Sequence, residues 1–387
     1  MSRLNPEPST ATALIRVLLL LAMLLAAFAC SGDPAANSTV GRAHLALEDA
    51  ERSHWSGDGS RPLQTTVWYP APPEVAGEEW RGGVFRFGHS ALNAPFLDTA
   101  RRPLIIVSHG TGGSAAQMSW LAEQLVGAGF IVAGVNHHGN TVTEVRQWPG
   151  GFIQPWERTR DVSVLIDQLL EHPDIGPRID PERLGAVGFS LGGYSVLGLA
   201  GVHLPSYEVW QQRCGERADS HACQLPPEAD FSFDDVQSMQ ASDPAFQAGL
   251  KRGEGRFHDE RIGAVYAIAP ALVALLEEND STPGAQAIRM LLAENDEQIE
   301  LEATTAAVER AIRPVSSQAS LWVMEGASHY TYLAPCTLRG RLLVRSLCGD
   351  PWGRNRQAAH AAVGADVIDY FSHALSHNES QGAPLDH

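Results

Sequence analysis

Along the chain, short unbroken apolar runs alternate with longer stretches whose apolar positions recur every three to four residues. Residues 104–108, 130–135, 262–268, 287–293 and 320–324 are such runs. Runs of this kind read as strands covered on both faces, as in a parallel sheet. Residues 115–126, 156–171, 300–312 and 357–375 carry the helical period. In 156–171 it places Val162, Leu165, Ile166, Leu169 and Leu170 on one face, and Pro173 ends the helix. Residues 43–47 and 63–69 read as an antiparallel entry to the sheet, joined by a turn with Gly57, Asp58 and Gly59 and stopped by Pro70. Residues 70–102 are rich in Pro and Gly without a period and read as a surface excursion. Strand and helix alternate often enough to predict an α/β domain with a mostly parallel, doubly wound sheet and helices on both faces. Residues 203–260 interrupt it with aromatic, acidic and Pro-rich pieces. They form either a cap over a site or a disulfide-tied decorative loop.

The strongest local pattern is Gly188-Phe189-Ser190-Leu191-Gly192, between a β-type run and a segment, 195–201, that reads as helical. A serine at the tip of so tight a turn needs neighbours without side chains, so that strand and helix can approach closely. The serine hydroxyl then projects above the sheet, at the N-terminus of the following helix. A second Gly-rich loop, His109-Gly-Thr-Gly-Gly113, follows the run 104–108. It lacks the endings of a phosphate-binding loop. It reads as half of an oxyanion hole, with the backbone N–H groups of Thr111 and Leu191 converging on one oxygen, or else as a plain tight turn.

Charge and cysteines narrow the setting. The chain has 387 residues, 44% of them hydrophobic, and a formal net charge of −17. That charge argues against nucleic acid and anionic membrane surfaces as partners. Arg3 and Arg16 precede the apolar run 17–28, which is short for a membrane span and suits a signal segment. Ala27-Phe28-Ala29-Cys30 resembles a lipoprotein cleavage site. The reading is a signal peptide over 1–29, lipidation at Cys30, a tether over 30–41, a domain over 42–376 and a polar tail over 377–387. The protein is then exported, either anchored at the periplasmic face of a bacterial membrane or secreted. Cys214, Cys223, Cys336 and Cys348 remain, and an oxidising compartment pairs them. Short loops close most easily, which predicts Cys214–Cys223 and Cys336–Cys348. No metal-ligand spacing is present, and the reading calls for no cofactor.

Three chemistry-bearing positions stand in chain order: Ser190, an acid just past the run 287–293, and His329 just past the run 320–324. This Ser, Asp, His order is that of the α/β-hydrolase fold. A serine hydroxyl needs a base to take its proton, and that imidazole needs a carboxylate to fix its tautomer. Asp296 is the best placed acid, with Glu294 and Glu297 beside it. His109, His138 and Tyr330 are candidates to line the pocket. His137 or His138 equally suits a structural role in the loop 136–140.

Ser-His-Gly-Thr-Gly-Gly-Ser at 108–114, Arg-Asp-Val-Ser at 160–163, Gly-Phe-Ser-Leu-Gly-Gly at 188–193 and Gly-Ala-Ser-His-Tyr at 326–330 resemble one group. It is the bacterial dienelactone-hydrolase-like proteins related to platelet-activating-factor acetylhydrolases. Arg61-Pro-Leu, Val67-Trp-Tyr-Pro70 and Ala334-Pro-Cys336 extend the resemblance over about 42–376. It implies a serine esterase with Ser190, Asp296 and His329 as a triad and Thr111 and Leu191 as oxyanion donors. Short-chain acyl or phospholipid-type acetyl esters are then the expected small-molecule substrates. Classical dienelactone hydrolases use a cysteine where this chain has Ser190, so a dienelactone is not the expected substrate. An amidase or peptidase with the same triad, and a lipid-anchored binding protein that no longer catalyses, are the competing readings.

Overall fold

The computed structural model describes residues 38–277, 286–350 and 355–376. The expected signal segment, Cys30 and the tail 377–387 lie outside the described residues. The expected tether ends earlier than residue 41, because Thr39 already begins the first strand. No described helix is long and apolar enough to cross a membrane.

The described strands are β1 Thr39–Ser53, β2 Ser60–Ala71, β3 Glu78–Gly82, β4 Phe85–Leu92, β5 Arg102–Ser108, β6 Ile131–Val135, β7 Ile179–Phe189, β8 Ile262–Ile268, β9 Ala287–Ala293 and β10 Ser320–Met324. They form one ten-stranded sheet in the order β10-β9-β8-β7-β5-β6-β2-β1-β4-β3. From β10 to β6 every pairing is parallel. β2 pairs antiparallel with both β6 and β1. Helices α1 Ser119–Gly127, α2 Trp156–Glu171, α3 Leu191–Leu199, α4 Tyr207–Glu216, α5 Phe233–Ser242, α6 Pro244–Arg252, α7 Leu301–Ala307 and α8 Arg356–Ala374 connect or cover the strands.

The two-residue period of β5 divides the core. Leu104 and Ile106 face one cluster with Trp156, Val162, Leu165 and Leu197 from α2 and α3. Ile105 and Val107 face the other, with Leu121 and Leu125 from α1 and Val363 and Phe371 from α8. From Leu104 to Ser108 the strand is fully buried because helices cover both sides, which is why its sequence shows no polar alternation. Each such aliphatic side chain contributes about 1.5–3 kcal/mol on burial.

Three expectations need correction. Residues 70–102 are not a plain excursion, because they contain the β3–β4 hairpin. Trp80 packs edge-on against Phe87 there, and Arg42 lies 3.7 Å over the Trp80 ring. The alternation in β4 is broken by Gly88 at φ 123°, which hides the strand pattern. Pro70 does not stop β2, which runs on to Ala71. The β6 ladder already ends at Trp68, so the missing amide removes nothing from it. The helix after the elbow begins at Leu191, directly behind Ser190, rather than at 195.

Candidate active site

β7 delivers Ser190 at φ 54° and ψ −120°, backbone angles that a residue with a side chain holds only where its surroundings force it. The Ser190 N–H donates to the Ile268 carbonyl at 2.9 Å, and its carbonyl accepts from Ala271 N–H at 3.1 Å. The flanking glycines are a packing requirement. A Cβ on Gly188 would lie 2.0 Å from the Gly192 carbonyl oxygen, and one on Gly192 would lie 2.0 Å from that of Ser108.

His329 follows β10, and Asp296 follows β9. The Ser190 hydroxyl donates to His329 Nε2 at 3.0 Å, and His329 Nδ1–H donates to Asp296 Oδ2 at 2.9 Å. Asp296 Oδ1 accepts from the Gln298 and Ile299 amides, each at 2.9 Å, which fixes the carboxylate. The three neighbouring acids divide the work by geometry. Glu297 Oε2 accepts from the His329 backbone N–H at 3.1 Å, and Glu294 Oε2 from the Gly326 N–H at 2.7 Å. Both stitch the β9 loop to the histidine turn, and Asp296 is the one in contact with the imidazole. Ser190 and His329 are buried, and Asp296 has a buried side chain.

Ser190, Leu191, Thr111, His329 and Tyr330 share a cavity of about 410 Å³. The loop carrying Thr111 is pinned on both sides. Gly113 N–H donates to the Gly110 carbonyl at 3.2 Å, and Gly112 N–H to Asn140 Oδ1. Leu191 opens α3, where the first amides have no partner within the helix. The interruption at 203–260 supplies much of the opposite wall through Tyr207, Trp210, His221, Leu225 and Glu228. That placement matches a cap over the site and not a loop held apart from it. Within it Cys214 is bonded to Cys223, and Cys336 is bonded to Cys348 beyond the histidine turn. Burial pushes the Tyr330 phenol up to about 12, with the Glu228, Glu297 and Asp296 carboxylates adding to the shift.

His109 and His138, expected as pocket candidates, do not line the cavity. His138 is buried, accepts from Trp55 N–H at 3.1 Å and meets Glu144 at 2.8 Å. His109 is fully buried at the start of the loop that carries Thr111. His137 donates from Nδ1 to Asp161 at 2.9 Å and accepts the Ser108 hydroxyl at 2.9 Å. Burial and the Arg158 charge depress its pKa to about 3, so it stays neutral.

A buried charge cluster was not assigned from the sequence. Asp161 accepts from Arg52 at 2.6 Å and from Arg61 at 2.7 Å, and Arg52 also reaches Asp49 and Glu157. Burial alone would raise the Asp161 pKa, but Arg61 and Arg52 hold it well below the carboxylate range. The available signal was Glu157, Arg158 and Asp161 on the buried side of α2, where an amphipathic helix should be apolar.

Residues 88–147 match the family model described as platelet-activating factor acetylhydrolase, isoform II. Cutinase est2 of Thermobifida alba is 28% identical over 146 residues, which are 37% of this chain and 45% of that protein. Cutinase 2 of Thermobifida cellulosilytica is 30% identical over 146 residues, covering 37% and 51%. The chain thus spans about half the length of the curated relatives it matches. The solved ferulic acid esterase from Streptomyces cinnamoneus is 19% identical over 89% of this chain and 92% of its own, with a TM-score of 0.52. Strand order and this likeness together show an α/β-hydrolase fold.

Proposed function

We propose that this α/β-hydrolase fold carries a serine esterase that cleaves carboxylic esters through an acyl-enzyme. The observation that carries it is the continuous chain Ser190 Oγ, His329 Nε2 and Nδ1, Asp296 Oδ2, whose serine and histidine line the cavity. Ser190 Oγ attacks the acyl carbon, and its proton passes to His329 Nε2. Asp296 keeps Nδ1 protonated and balances the imidazolium. The carbonyl oxygen becomes negative as the carbon turns tetrahedral, and the Thr111 and Leu191 amides stabilise it. Collapse expels the alcohol, which takes the proton from His329. A water activated by the same histidine then releases the acid.

The cavity volume and its aromatic walls suit a small or medium apolar acyl ester. Short-chain acyl esters, phospholipid-type acetyl esters among them, are the proposed substrates. The match to the acetylhydrolase family model and the likeness to cutinases and to an esterase support ester chemistry over amide chemistry. The two disulfides support export to an oxidising compartment. Lipidation at Cys30 remains part of the proposal.

The test is hydrolysis of p-nitrophenyl esters from acetate to decanoate by the wild type and Ser190→Ala. The expected outcome is activity concentrated in the short chains and reduced about 10⁴-fold or more in the variant. Equal turnover by Ser190→Ala would refute the nucleophile. Turnover of anilides but of no ester would move the proposal to an amidase.

A further inference from the structure

His109 is the buried first residue of the candidate oxyanion loop and takes no part in the mechanism above. Its ring is fully committed. Nε2 accepts the His137 backbone N–H at 3.1 Å, which leaves the ring proton on Nδ1. Nδ1–H donates to the Gly110 carbonyl at 2.7 Å. The His109 carbonyl in turn accepts from the buried Arg158 guanidinium. The loop lies against the nucleophile, since a Cβ on Gly110 would be 3.3 Å from Ser190 Cβ.

The Gly110 carbonyl belongs to the same rigid peptide plane as the Thr111 N–H. In a trans peptide the two bonds point in opposite directions. His109 Nδ1–H and Gly113 N–H both draw the carbonyl toward the loop interior. The Thr111 N–H must therefore face the other way, toward the cavity that Thr111 lines.

We propose that His109 is a positioning residue for the Thr111 amide: by holding the Gly110 carbonyl it turns the shared peptide plane so that the Thr111 N–H meets the developing oxyanion. The inference rests on the esterase reading. It deepens that reading by naming what sets one of the two donors. Burial and the charge of Arg158 keep the His109 pKa well below its ordinary value, so the donor arrangement persists across neutral pH. The ground-state carbonyl gains little from this bond, and the transition-state oxygen gains most, so the effect belongs in kcat.

Three variants test it, with p-nitrophenyl butyrate as substrate and phenylboronic acid as a tetrahedral analogue. The side-chain amide nitrogen of Asn lies about where His Nδ1 lies and can donate to Gly110. That of Gln lies one atom further out, and Leu has no donor. Outright loss of an oxyanion donor lowers kcat about 10²–10³-fold. His109→Leu is expected to lower kcat about 10–100-fold with KM within twofold, and to weaken phenylboronic acid by a similar factor. His109→Asn is expected to recover kcat to within about fivefold of wild type. A purely structural histidine would give equal losses in Asn and Leu, or changes in melting temperature without a kcat–KM split, and either result overturns the proposal. So does a folded His109→Leu with wild-type kcat. If Leu does not fold, kcat for Asn above Gln supports the proposal, and Gln equal to or above Asn overturns it. A wild type inert toward every ester would overturn the esterase reading itself, and that assay precedes the variants.

Discussion

Acid should unfold this protein through its buried neutral histidines. His109, His137 and His360 are all buried, and burial is the first cause of each depressed pKa. His137 and His360 fall to about 3, and His109 lies well below the ordinary value. Unfolded histidine titrates near ~6.5, so between about pH 6 and pH 4 the unfolded chain binds about two more protons than the folded one at His137 and His360, and His109 shifts the difference the same way. Stability from these groups is fully present above the unfolded value and is lost as pH falls toward the folded one. Between pH 7 and pH 5 the loss is about 2 kcal/mol each for His137 and His360, or about 4 kcal/mol together, and His109 adds to it in the same direction.

Glu123 works in the opposite direction. Burial raises its pKa to about 7, against the pull of the His89 backbone and Arg42. The folded state takes up that proton on acidification and recovers about 2 kcal/mol over the same interval. A net loss of about 2 kcal/mol remains before the His109 share, against a typical stability of about 5–15 kcal/mol. Urea unfolding followed by tryptophan fluorescence at pH 7, 6 and 5 measures it directly. His360→Gln isolates one share. That ring donates to the Thr331 carbonyl at 2.9 Å and stacks on Trp120 at 3.9 Å between centroids, away from Ser190. The variant should lose about 2 kcal/mol less between pH 7 and pH 5 than the wild type. A wild-type change under about 1 kcal/mol, or a variant with the same slope as the wild type, would refute the reasoning.

Three further outcomes are expected. Asp296→Asn should lower kcat about 10⁴-fold, while Glu297→Gln and Glu294→Gln, which only hold backbone amides, should cost less than about tenfold. Equal losses in all three would reassign the acid. Gly192→Ala should destabilise the fold by roughly 3 kcal/mol or more, because the new Cβ would lie 2.0 Å from a backbone oxygen, and an unchanged melting temperature would contradict the close packing of the elbow. Reducing Cys214–Cys223, whose partners are 9 residues apart, should lower stability by on the order of 2–3 kcal/mol, and identical melting with and without dithiothreitol would refute that contribution.

The parallel core was legible in the sequence because burial on both faces leaves an unbroken apolar run, and 262–268 and 287–293 coincide with β8 and β9, while 320–324 coincides with β10, a partly buried edge strand. The elbow was legible for a local reason. Gly188 and Gly192 are demanded by contacts within a few residues of Ser190 and with the adjoining β5. His329 and Asp296 stood out as candidates because each follows the end of a strand, and open α/β sheets gather ligands at those ends. The short-loop rule likewise anticipated the pairing of the four described cysteines.

What tertiary structure alone decided lies in partners far apart along the chain. Among Glu294, Asp296 and Glu297, adjacency in sequence cannot say which carboxylate reaches a ring 33 residues away, since the turn between β9 and the histidine loop makes that choice. His109 and His138 looked like pocket residues because they follow strand ends, but their partners are His137, Gly110, Trp55 and Glu144, and those bonds bury them. Arg52 and Arg61 lie about a hundred residues from Asp161 in sequence, and only strands and helix bring them within 2.6–2.7 Å of it in the interior. Local pattern determines which segments must be buried. Which buried polar group finds which partner is set by directional bonds between remote segments, and a carboxylate or imidazole takes its role only when the fold closes around it.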